Sequence, residues 1–159
     1  MNKIEQTYID KTSLPNGRWQ EEPDRISWVD PETGYHCLIK RGPLGALCGY
    51  VAIEKSHSYY EKHYNDIDWQ EIEIHGGLTY SEHCRGDAEF GICHLTENND
   101  EAWWFGFDCA HLNDLVPAYE SQYNSIGYDI YRDVQYVTSQ VTSLAKQLKE
   151  KEQNDQERD

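Results

Sequence analysis

Val134, Val137, Val141, Leu144 and Leu148 recur at steps of 3, 4, 3 and 4, which places all five on one face of an α-helix. A helix with a single apolar stripe needs a flat apolar surface to cover it, so the chain upstream must supply one. Upstream the periods are those of strands. Residues 35–40 and 48–53 flank the Gly/Pro-bearing stretch 41–47 and predict a β-hairpin. Gly49, inside the second of these strands, predicts a bulge or a close contact. Trp103-Trp104-Phe105-Gly106-Phe107-Asp108 is short and nearly all apolar, as a buried central strand is. Ile72 and Ile74 alternate with Glu73 and predict a half-buried strand over 70–75, halted by His75-Gly76-Gly77. Residues 90–95 predict an extra strand. Ser56 is placed to cap a short helix carrying Tyr59, Tyr60, His63 and Tyr64 on one side. Asp129 and Asp133 are placed to help start the long helix.

The simplest architecture is α+β: a single domain with an antiparallel β-sheet and a long C-terminal α-helix packed on one face. Residues 1–30 show no sustained period and predict a loosely ordered N-terminal arm, pinned by Trp19 and Trp28. The α+β domain is expected over 31–150. The tail 151–159 has no apolar residue, which predicts disorder there.

Composition narrows the function. Twelve Tyr and five Trp argue against wholesale disorder. Twenty-nine acids against fourteen bases give a net charge of −15, a field that repels phosphates and disfavours direct nucleic-acid binding. The same charge would attract a basic partner. No stretch approaches the roughly 18 apolar residues of a membrane span, and no signal-peptide core opens the chain. A soluble, cytoplasmic protein is expected, with no membrane partner. Five cysteines without a CxxC spacing predict free, mostly buried thiols in a reducing compartment.

The candidate chemistry centres on His75, Asp108 and His111. If their strands are neighbours, these side chains converge with Tyr80 and Asp114. Two histidines and a carboxylate can hold a divalent metal or form an acid–base pair, His75, Asp108 and His111 being the catalytic or metal set in that case. They can equally form a structural hydrogen-bond network. No diagnostic hydrolase, nucleotide-loop or zinc spacing is present, so neither a metal nor another cofactor is expected. As a ligand pocket, the set is His75, Gly76, Gly77, Tyr80, Trp104, Asp108, His111 and Arg41. Trp104 would stack a base-like ring and Arg41 would meet a phosphate. Cys109 is a weaker candidate for a nucleophile because an aromatic strand end favours an inert thiol.

Three ordered motifs carry a resemblance. His75-Gly76-Gly77-Leu78-Thr79-Tyr80-Ser81, then 103–111 (WWFGFDCAH), then 131–137 (YRDVQYV) resemble an uncharacterised family of small bacteriophage and prophage proteins, together with Arg41-Gly42-Pro43 and Gly49-Tyr50-Val51. The resemblance implies a phage accessory protein in the host cytoplasm, with counter-defence as the expected role. Three functions follow as expectations. The first is binding of a host protein or of a small, nucleotide-like ligand. The second is an acidic decoy that mimics nucleic acid, its acids drawn from 54–73 and 82–101, and inhibits a nucleic-acid-binding host protein. The third is a metal-assisted hydrolase. The oligomeric state stays open, a homo-oligomer included.

Overall fold

A computed structural model describes residues 3–86, 90–93, 101–120 and 128–157. Six strands form one antiparallel sheet: β1 (Ile4–Gln6), β2 (Arg25–Val29), β3 (His36–Arg41), β4 (Leu47–Ile53), β5 (Tyr80–His83) and β6 (Trp103–Asp108). Their order is β1-β2-β3-β4-β6-β5. The helix α1 (Val134–Glu157) packs across β3 and β4. The fold is α+β and single-domain, as the switch from strand to helical period predicts.

The alternation along the strands divides two cores. Cys37, Ile39, Leu47, Val51, Phe105 and Phe107 face α1 and meet Val137, Val141, Leu144 and Leu148. Leu38, Tyr50, Ala52 and Trp104 lie on the opposite face with Ile92 and Ala102. Gly49 makes the close contact on the helix face, with no bulge in the β3–β4 register. A Cβ there would stand 2.6 Å from both Phe107 and Val141. The strand β6 is inserted between β4 and β5 as a buried central strand.

Three boundary expectations are corrected. Of the expected loose arm over 1–30, residues 1–2 lie outside the described residues, and residues 3–30 are ordered and supply β1 and β2. Asp24 ties them down by accepting the N–H groups of Tyr8 and Ile9 and the ammonium of Lys11. Helix α1 runs to Glu157 through most of the expected disordered tail. Lys149–Glu152 and Lys151–Asp155 pairs support it there, and Ser58 binds Asp155. Residues 55–61 form turns, with a single 3₁₀ turn at Tyr64–Asp66, in place of the short helix.

The expected strand over 70–75 is not a strand. Ile72 is buried and Ile74 half-buried in the helix-side core while Glu73 is exposed, so the alternation is real. Its backbone partners, however, are side chains of α1. Gln147 accepts the Glu73 N–H and donates to the Glu73 carbonyl, and Gln140 accepts the His75 N–H. Two glutamines stand in for a strand.

The thiol expectation holds for Cys37, Cys48 and Cys109, which are free. Cys84 and Cys93 instead form a disulfide with Cα atoms 4.7 Å apart. Arg25 holds the same loop down, donating to the carbonyls of Gly91 and Cys93. Of the expected strand at 90–95, Ile92 forms an isolated bridge with Arg85, and His94 and Leu95 lie outside the described residues. So do Asp87, Glu89, Glu97 and Asp100 of the acidic stretch. Among the described residues, no helix is long and apolar enough to cross a membrane.

Candidate functional site

The turn at 74–77 delivers His75 to the N-terminal end of α1. It closes through a bond from the Gly77 N–H to the Ile74 carbonyl, and Gly76 (φ 69°) and Gly77 (φ 82°) both occupy the left-handed region. Gly76 has a second constraint: a Cβ on it would collide with the His111 ring. The glycine pair therefore makes a turn and admits a neighbouring side chain of the chain itself.

Asp114 comes from the loop after β6. That loop is pinned to the start of α1 by a parallel bridge to Ile130. The Asp114 carboxylate is buried and has three donors. His75 Nε2 lies 2.9 Å from Oδ2, the His111 N–H 3.0 Å from Oδ2, and Arg132 Nε 2.9 Å from Oδ1. Burial alone would raise this carboxyl, yet the bonds from His75, the His111 N–H and Arg132 hold it below the usual carboxylate range. An ionised carboxylate only accepts, so the His75 proton sits on Nε2. Nδ1 lies 2.7 Å from the Tyr136 hydroxyl. The Arg132 guanidinium covers the Tyr136 ring at 5.0 Å. Every polar atom of His75 except its carbonyl is accounted for within this cluster and by Gln140.

Asp108 and His111 form a neighbouring unit, not the same one. Asp108 accepts Thr79 Oγ1 and the Ala110 N–H. His111 Nε2 is 3.1 Å from Asp108 Oδ1 but outside hydrogen-bond geometry, and that atom has no hydrogen-bond partner among the described residues. The His75 and His111 rings approach edge-on with centroids 6.2 Å apart. Among the described residues, no three His, Cys, Asp or Glu side chains come together as a metal site would require. Burial, aided by Asp114, pushes the Cys109 thiol far up, which leaves it protonated and inert.

The remaining expected residues lie elsewhere. Trp104 is 1% exposed on the opposite face of the sheet, so no base can stack on it. Tyr80 shares that face, edge-on to Tyr50. Arg41 is 2% exposed and fully engaged by Asp24, Tyr131, Glu22 and the carbonyls of Gly45 and Pro23. It has nothing left for a phosphate.

The cluster also contains residues that periodicity missed. Arg132, Tyr136, Gln140 and Gln147 flank the apolar stripe of α1. The 7-residue spacing of the glutamines, two turns on one helix side, was the available signal. Tyr136 and the two glutamines line an open groove of about 670 Å³ with Glu73, His75 and Lys146. No family model, curated protein or solved structure matches this chain. The likeness to phage and prophage proteins rests on its motifs alone.

Proposed function

We propose that this chain is a binding protein without catalytic activity whose partner is a basic protein. The observation that carries the reading is a contrast in where polar groups are satisfied. The Asp114 carboxylate and both ring nitrogens of His75 are satisfied within the cluster, while most of the described acids lie on the surface. Within 54–73, Glu54, Glu61, Asp66, Asp68, Glu71 and Glu73 are all exposed against two lysines. A nucleotide-like ligand is disfavoured because Trp104 and Arg41 are buried. A hydrolase is disfavoured because His75, Asp108 and His111 do not share a coordination space. The acids of 54–73 favour the decoy form of the reading, in which the partner is a nucleic-acid-binding protein. The phage likeness would make that partner a host defence factor.

Immobilised protein should capture basic, nucleic-acid-binding proteins from a bacterial lysate at low salt and release them as salt rises. Capture that is absent, or indifferent to salt, counts against the reading. Duplex DNA added as competitor should displace captured proteins if the acids occupy a nucleic-acid groove.

A further inference from the structure

Beside the turn at 74–77 lies a second groove of about 490 Å³. Ile67, Ile72, Ile74 and Leu78 give it an aliphatic floor, and Asp68 and Glu73 stand on its rim. Trp69 borders it and is 79% exposed, with no hydrogen bond or ring contact to any described residue. A large exposed indole between acids offers a stacking face to a cation. We propose that this groove is the docking point for an arginine side chain of a basic protein partner.

The chemistry selects arginine. Its planar guanidinium stacks on an indole face as a cation and still presents N–H donors to carboxylates in its plane. Its three-carbon stem suits an aliphatic floor. Charge complementarity fixes the sign of the occupant. Asp66, Asp68, Glu71 and Glu73 lie within four residues of Trp69, and residues 65–73 hold no base. The Glu71 carboxylate is held by the Tyr59 hydroxyl, which leaves Asp68 and Glu73 as the rim groups for the guanidinium.

The inference rests on the basic-partner reading, and the test separates the two. A short peptide carrying three arginines spaced by Gly-Ser is titrated into the full chain and followed by the indole N–H resonances. Trp69→Phe assigns the relevant signal, since this exposed residue can change without touching either core. The Trp69 resonance should move most, and Trp69→Ala should weaken binding about fivefold at unchanged net charge. A matched lysine peptide should bind more weakly than the arginine peptide. If Trp69→Ala binds as tightly as the parent and the Trp69 resonance moves no more than the other indoles, the groove is not the docking point, though the basic-partner reading stands. If neither peptide binds even at low salt, the basic-partner reading falls and the groove with it.

Discussion

Two buried aspartates organise this molecule, and they differ in the company they keep. Asp24 is fully buried and takes two permanent cations, Lys11 at 2.8 Å and Arg41 at 3.0 Å, besides two backbone N–H groups. Asp114 takes one permanent cation, Arg132, and one titratable ring, His75. Both networks end in one short segment, residues 131–136. Tyr131 bonds Arg41 and Glu22, and Glu22 in turn accepts the Val134 N–H. Arg132 and Tyr136 serve the Asp114 cluster. Between them Asp133 caps α1, its carbonyl accepting the first intrahelical bond and its carboxylate the Tyr136 N–H. The comparison teaches that a His–Asp–Tyr–Arg constellation here is built by the same forces that anchor an N-terminal segment. Composition of a cluster does not by itself mark it as catalytic.

The comparison breaks most visibly at Asp24. Asp24→Asn leaves the Arg41 and Lys11 charges buried without their carboxylate, and should cost about 3–5 kcal/mol in urea unfolding. Asp114→Asn leaves a smaller debt, since Arg132 is part-exposed and His75 can be neutral. Its expected cost is about 1.5–3 kcal/mol. An Asp114 variant as damaging as the Asp24 variant would show that the two junctions are equivalent. Smaller again is Gly76→Ala. It adds a Cβ at φ 69°, at about 1–2 kcal/mol for the left-handed backbone, and it also pushes on the His111 ring. Gly77→Ala, with the same backbone penalty and open space around its Cβ, isolates the contribution of that ring as the difference between the two.

The sheet and helix were legible because burial imposes a period: β3, β4 and β6 are buried along most of their length, and α1 buries one apolar stripe. What period could not express was charge. Residues 3–30 have too little apolar repeat to announce β1 and β2; besides burying Ile26 and Trp28, they are tied down by Asp24, which holds Lys11 and Arg41. The stretch 72–75 announced alternation correctly but not its partner, because a strand pattern says nothing about who supplies the hydrogen bonds. Gln140 and Gln147 do so from a helix. Of the expected site, His75 was placed at a strand-like end beside a glycine turn, and the turn is there. Its carboxylate partner is Asp114 and not Asp108, a choice made by loop geometry after β6. Arg41 and Trp104 were misjudged for one reason: their chemistry was visible and their burial was not.

The smallest expected effect separates a third titrating group from both aspartates. His57 is buried, its Nε2 hydrogen-bonded to the Leu148 carbonyl at 2.8 Å and its Nδ1 accepting the Tyr59 N–H. That pattern fixes a neutral ring with the proton on Nε2. Burial lowers its pKa from the ordinary 6.5. The unfolded chain therefore binds a proton below pH 6.5 that the folded chain refuses, and stability falls as pH drops through that range. Asp24 and Asp114 are both held below the ordinary 3.8. Their contribution is fully present above that value and is lost only as pH falls through their folded values. Chemical denaturation at a series of pH values should thus show a shallow decline below 6.5 and a steeper one below 3.8. His57→Asn should flatten the shallow limb and leave the steep one, while Asp24→Asn and Asp114→Asn should each reduce the steep one. A shallow limb that survives His57→Asn would assign the mildly acidic loss to another histidine.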